Sequence, residues 1–298
     1  MRIDVGWASI ENSGKGSRNA TTIQMLDRCV DLARQNGMRA LVVVASTPSW
    51  ANGGQAKTVP PTNPNDFGDI AQWLADHFKG RVSAWQVYNE ENNTTYFNGS
   101  VAQYVSVLKA GYAGFKAGDA SALVVLGGIM WEDDAYVRSL YDAGAKDYFD
   151  VLATHGYHWP GDDPPETPDA GTAHPIAHLS HIPAVRAVMT QRGDSDAAMW
   201  LTEFGWSNHT NGHGEGDATW ARGVDEATQA DYAVRAVKYV RANFPYVGTM
   251  VWYKSQSAPL SSSADWQQIH WEGMGLLRSD LSARSVYGAF KQFLTGSG

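Results

Sequence analysis

What most limits the fold of this chain is an alternation. Seven short apolar runs, at residues 2–7, 39–45, 82–89, 122–128, 151–157, 199–205 and 249–254, are separated by stretches whose apolar residues recur at helical spacing. TIQMLDRCVDLARQNG, stopped by Gly37, is one such stretch, and SVYGAFKQFL closes the series. Apolar strands that alternate with helices are parallel strands covered by those helices. At 298 residues the closed form this predicts is a (β/α)8 TIM barrel, a single domain over residues 1–298. A doubly wound sheet is the runner-up, but no G-x-G-x-x-G follows a strand, and the polar residues are spread over many strand ends.

Composition narrows the partners. The formal charge of −8 argues against a nucleic acid, which would favour basic patches. No apolar run approaches the roughly 18–20 residues that cross a bilayer, so no membrane span is predicted. The N-terminal MRIDVGWASIE lacks the apolar core of a signal peptide. The one cysteine, Cys29, sits in a helical pattern and reads as a buried small hydrophobe. The unusual feature is aromatic: twelve Trp and thirteen Tyr, many at or just after strands. Core packing accounts for most such residues. Trp50, Trp131, Trp159 and Trp206, however, are followed by polar or loop residues, and flat apolar faces with a polar rim suit a ligand bearing both CH and OH groups.

In a barrel enzyme the active site lies at the C-terminal ends of the strands. Those ends carry Asp4 and Trp7; Ser46, Pro48 and Trp50; Asn89 and Glu90; Met130 and Trp131; His155, Tyr157 and His158; Glu203 and Trp206; Trp252 and Lys254. Any one of these is ordinary strand-end polarity. Their convergence is not. Glu90 and Glu203 end the third and sixth runs, three strand steps apart, which sets them on opposite sides of a barrel mouth. Two carboxylates across a cleft are the machinery of glycoside hydrolysis, one protonated to release the leaving oxygen and one ionised to meet the anomeric carbon. An arginine keeps a nucleophile ionised, and Arg2 is the candidate. A separation of about 5–5.5 Å, the retaining geometry, is expected.

The histidines His155, His158, His174, His178 and His181 raise a metal-dependent hydrolase as an alternative. Such a site needs an H-x-H on an early strand, and the first two runs hold no histidine, so neither metal nor cofactor is expected. GDDPPETPD (161–169) reads as a rim loop, and 207–223 as a long, glycine-rich functional loop.

The motifs RIDVGWASIE, TPSWA (47–51), Asn89–Glu90 and LTEFGW (201–206) resemble the clan A (β/α)8 retaining glycoside hydrolases, and within the clan most resemble family 39, the β-xylosidase and exopolysaccharide hydrolase group. The resemblance runs over essentially the whole chain. It implies Glu90 as the general acid/base, directly after the Asn, and Glu203 as the nucleophile. It implies that Asn89 bonds the sugar 2-OH, that Tyr157 and His155 attend the nucleophile, that Trp252 floors the −1 subsite, and that Trp50 and Trp206 are stacking walls. Glu91 is the competing acid. The implied activity is cleavage of β-glycosidic bonds in a polysaccharide or oligosaccharide. Endo action is favoured by aromatics round the rim; an exo-acting β-xylosidase-like enzyme, or a carbohydrate-binding barrel without catalysis, is the alternative. Secretion is implied only by the resemblance.

In this clan the acid/base follows strand four and the nucleophile strand seven. Here they follow the third and sixth runs. One change repairs the count: residues 2–7 are strand two, and the barrel lacks its first strand and helix. Open edges would then be covered by another segment or by a homo-oligomer. The alternative is an overlooked strand in QIHWEGMGLL (268–277).

Overall fold

Each of the apolar runs forms a strand in the computed structural model, which describes residues 1–210 and 216–296. The strands are β1 (Arg2–Gly6), β2 (Leu41–Ala45), β3 (Ala84–Asn89), β4 (Leu123–Met130), β5 (Val151–Gly156), β6 (Ala198–Phe204) and β7 (Val247–Trp252). The helices are α1 (Trp7–Ile10), α2 (Ala20–Gln35), α3 (Asn65–His77), α4 (Val101–Gly118), α5 (Asp134–Asp142), α6 (Ile182–Gln191), α7 (Glu226–Asn243), α8 (Trp266–Gly273) and α9 (Ser285–Thr295). Polar residues start several of them. Ser100 and Asp265 form capping boxes with Gln103 and Gln268, and Asn19, Asp133 and Asp225 accept from the first turns of α2, α5 and α7.

The strands lie in one sheet in chain order, β1 to β7. The pairings β1–β2, β2–β3 and β3–β4 are parallel, with Arg2 beside Leu41, Leu41 beside Ala84, and Ala84 beside Leu123. This is the succession of a (β/α)8 barrel with seven strands among the described residues, one short of the full set. The eighth strand sought at 268–277 is absent from that stretch: most of it belongs to α8, started by Asp265. Strands β2 to β5 are almost wholly buried, whereas β1 and β7, the two ends of the order, are half-exposed along most of their length. The centre of the glycine-rich loop, residues 211–215, lies outside the described residues.

The chain divides into two compact units, Met1–Thr154 with Val188–Trp200, and His155–Ala187 with Leu201–Gly298. In the first, Leu41, Ala84, Val125, Val151 and Ala153 form a buried cluster, with Ala198 and Trp200 packed on it. An aromatic layer joins strands to helices: Trp85 stacks on Phe115 with ring centres 5.1 Å apart, and Phe67 meets Trp7 at 5.6 Å and Tyr88 at 5.4 Å. Helices α3 and α4 approach backbone to backbone. A Cβ on Gly114 would sit 2.2 Å from the Gly68 carbonyl oxygen, and one on Gly118 2.4 Å from that of Gln72. Cys29 is half-buried rather than buried, because its side of α2 turns partly to solvent. In the second unit, Trp252 packs edge-on against Phe204 and Phe290, both at 5.4 Å. Beside β7 lies an apolar cavity of about 490 Å³, lined by Met250, Trp252, Phe290 and Leu294 among others.

Candidate active site

The strand-end residues fall into two groups, one in each unit. In the first, strands β2, β3 and β4 each leave the sheet through a left-handed residue: Ser46 (φ 67°), Glu90 (φ 47°) and Trp131 (φ 60°). Non-glycine residues avoid this region at a cost of roughly 1–2 kcal/mol, so three neighbouring strand ends that share it mark a place where the backbone is shaped for side-chain placement. The Glu90 turn is tied on both sides. Its N–H donates to the Gly128 carbonyl (2.9 Å), and its carbonyl accepts from the Asn93 N–H (2.8 Å).

Asn89 is oriented by donors. Arg2 Nη2 donates to its Oδ1 at 2.8 Å and Gln86 Nε2 at 3.3 Å. A guanidinium only donates, so the amide oxygen is fixed towards Arg2 and Nδ2 is left as the donor for a ligand. Arg2 also donates through its Nε to Asp4 Oδ1 at 3.0 Å. Trp50 is half-buried; its indole N–H donates to the Glu11 carbonyl (2.8 Å), and its ring meets Trp7 edge-on at 5.6 Å.

The two adjacent glutamates differ in surroundings. Glu91 is the more buried, 3% exposed against 7% for Glu90, and neither of its carboxyl oxygens has a hydrogen-bond partner. Burial, and secondarily the charge of Glu90, push its pKa up to about 8. Its Oε2 occupies the space where Gly127 lacks a side chain: a Cβ there would come 2.1 Å from it. A carboxyl held in that notch favours Glu90 over Glu91 as the residue that meets a substrate.

In the second unit, Glu203 at the end of β6 is 8% exposed. The Tyr157 hydroxyl donates to its Oε2 at 2.7 Å, and His155 Nε2 lies 3.5 Å from its Oε1. A phenolic donor stabilises the ionised carboxylate. His155, Tyr157 and Glu203 are therefore brought together as expected from the motifs. Trp252 is half-exposed, held by its indole N–H on the Met274 carbonyl (2.8 Å). Trp206 corrects an expectation. It is 1% exposed, its indole N–H donates to the Asp163 carbonyl (2.9 Å), and its ring packs on His158 and Tyr232. It is core, and no sugar face can lie on it.

Sequence reasoning missed Tyr253 and Trp271. Their rings are 5.8 Å apart, and they meet Tyr157 at 6.3 and 6.4 Å. Only the abundance of aromatics hinted at them, since Trp271 lies in a stretch weighed as a strand. The acid-rich loop is fixed through Glu166, which accepts from Arg235 Nε of α7 at 3.0 Å. His158 and His178 are buried with ring centres 5.3 Å apart, and burial pushes His158 down to about 3. Among the described residues no helix is long and apolar enough to cross a membrane.

A family model described as cellulase (glycosyl hydrolase family 5) matches residues 1–256. A family 39 glycoside hydrolase from the gut symbiont Bacteroides cellulosilyticus WH2 superposes with a TM-score of 0.77 at 21% identity, over 99% of this chain and 58% of its own. A GH5_18 enzyme from Streptomyces cattleya, solved with Manβ1-4GlcNAc, gives 0.73 at 15% identity, over 99% and 70%. Op5Man5, an exo-β-1,4-mannosidase from Opitutaceae bacterium strain TAV5, gives 0.66 at 16%, over 99% and 52%. At these identities the likeness is one of fold. The chain spans little more than half of the family 39 enzyme and of the mannosidase. No curated protein matches it in sequence. The clan read from the motifs is borne out; the family model that matches is that of family 5, with a family 39 enzyme among the structural neighbours.

Proposed function

The chain belongs to glycosyl hydrolase family 5, and from that premise we propose that it hydrolyses β-glycosidic bonds of an oligo- or polysaccharide with retention, Glu90 acting as acid/base and Glu203 as nucleophile. The observation that carries the reading is the Glu203 carboxylate, nearly buried and bonded by the Tyr157 hydroxyl at 2.7 Å. That bond orients the carboxylate for attack on the anomeric carbon. Glu90 gives its proton to the leaving oxygen, then takes one from water in the second step. Asn89, its oxygen occupied by Arg2, donates to the sugar 2-OH, a contact that strengthens as positive charge grows in the transition state. Trp252 is the floor beneath the reacting sugar.

Two of the structural neighbours are tied by name or bound sugar to β-1,4-linked mannose, so β-1,4-mannosides lead the substrate classes, with xylosides, the sugar of a xylanase neighbour, beside them. The test is a panel of β-linked polysaccharides and oligosaccharides, with Glu203→Gln as control. Turnover by the native chain, its loss in the variant, and β-anomer as the first product by NMR are expected. Binding without turnover would mean a carbohydrate-binding barrel, and α-anomer would mean inversion.

A further inference from the structure

The structure contains a buried carboxyl that this reaction does not use. Glu91 follows Glu90 directly, yet its carboxyl is packed away among neighbouring elements. On β4 it faces Gly127, which carries no charge. From α4 comes Tyr104, whose hydroxyl donates to the Val87 carbonyl (3.0 Å) and accepts from the Gly127 N–H (2.7 Å). The hydroxyl proton is therefore committed, and what remains on that oxygen is a lone pair, which only accepts. A carboxylate beside it gains nothing; a carboxylic acid can donate to it. From α5 comes Tyr136, whose hydroxyl donates to the Glu91 backbone carbonyl at 3.2 Å, with Asp133 near it. Among the described residues, Glu90, Tyr104 and Tyr136 act on Glu91 electrostatically, and none of them is a cation.

We propose that Glu91 is a positioning residue held as a neutral acid: its carboxyl fills the notch left by Gly127, fixes the left-handed turn that presents Glu90, and releases that turn when it loses its proton. The notch explains the glycine, because any side chain at 127 would occupy the carboxyl's place. Burial there outweighs the Glu91 backbone N–H, which favours the ionised form, so the acid lies in the notch with its proton. Burial moves its deprotonation up to about 8, so the neutral form prevails at neutral pH. The proposal rests on Glu90 as the acid/base, but its physical core can be read without substrate.

Glu91→Gln keeps the shape, stays neutral, and can donate to Tyr104. The folded state holds the Glu91 proton up to about pH 8. The unfolded chain releases it near the ordinary carboxylate range, about 4.3. Between these limits folding takes up one proton, so the native folding constant falls tenfold per pH unit relative to the glutamine variant. Denaturant unfolding of both proteins from pH 5 to 8 measures this. In kinetics, an activated aryl glycoside makes the second step limiting, where Glu90 acts as base and does not lose function by being ionised, so its kcat isolates the alkaline loss due to Glu91. That loss, above about pH 8 in the native enzyme, should vanish in Glu91→Gln, with KM unmoved. Gly127→Ala should displace the carboxyl and lower kcat at every pH. Parallel unfolding curves for the two proteins across pH 5–8 would overturn the proposal. So would a glutamine variant slow on poor leaving groups but normal on activated ones, since Glu91 would then be the acid itself. If Glu203→Gln keeps its turnover, the catalytic reading fails, while the unfolding curves still decide the state of Glu91.

Discussion

Tyr157 shows how much one hydrogen bond can weigh. Its hydroxyl donates to Glu203 at 2.7 Å, a short bond to a charged acceptor. Hydrogen bonds to charged groups are worth about 1.5–3 kcal/mol, or roughly 10- to 100-fold in rate. Tyr157→Phe should therefore lower kcat by about that factor with little change in KM, measured by steady-state kinetics on the best oligosaccharide. Glu90→Ala should spare activated aryl glycosides and cripple substrates with poor leaving groups, because only the latter need the proton. If Glu91→Ala gave that pattern instead, the assignment would be off by one. These residues were legible because Asn–Glu and Thr–Glu–Phe–Gly at strand ends are chemical motifs. The state of Trp206 was not, because an indole after a strand-end glycine reads the same in sequence whether it lines a cleft or fills a core. What decides is a distant partner, here the Asp163 carbonyl and the ring of Tyr232.

Among elements, α3 and α4 make the most exacting contact. The helical period of GYAGFKAG was plain in sequence, but not that Gly111, Gly114 and Gly118 all face α3. A Cβ on Gly111 would lie 2.7 Å from the Phe67 ring, and one on Gly114 2.2 Å from a backbone oxygen that cannot move aside alone. In an exposed helix Gly→Ala stabilises, by up to about 1 kcal/mol. Here overpacking, about 1–3 kcal/mol or more, should win. Gly114→Ala is expected to destabilise, read as a lower denaturation midpoint with unchanged slope; a stabilised variant would refute the close approach of the two backbones. Gly288, where an added methyl group would meet nothing within 4 Å, is the control. Strands were easier to find than such contacts, since apolar runs and helical spacing are local. The stretch 268–277 misled for the same reason. Its apolar residues fit either period, and the signal that settles it is the Asp265–Gln268 capping box just at its start.

Over the whole molecule, buried titratable groups set the pH at which the fold is most stable. His158 and His270 are both held down to about 3, chiefly by burial and next by a neighbouring histidine, His178 and His209 respectively. Each is neutral in the folded chain and takes a proton in the unfolded chain below about 6.5. Their contribution is complete above that value and is lost as pH falls towards 3, at about 1.4 kcal/mol per pH unit for each. Glu91 acts in the opposite sense, because its folded value is raised to about 8. Its contribution is complete below the ordinary carboxylate value and is lost as pH rises to about 8. From 8 down to 6.5 Glu91 adds stability as pH falls, against the partly buried N-terminal amine of Met1, whose value burial lowers from 8.0. From 6.5 to about 4.5 the two imidazoles outweigh it by one proton, and stability falls; below that, both act unopposed and the fall steepens. Stability should therefore fall on the acid side of about pH 6.5, a fall sharpened further by paired carboxylates such as Asp27 and Glu226, where burial is overcome and the value lowered in the folded state by His77 and Arg81 and by Ser285 and Arg278 respectively. Unfolding free energies measured by denaturant at pH 4, 5, 6.5 and 8 give the curve. His158→Gln should flatten its acid side and Glu91→Gln its alkaline side, each by one proton, and a native curve that keeps rising from pH 6.5 to 8 would refute the assignment.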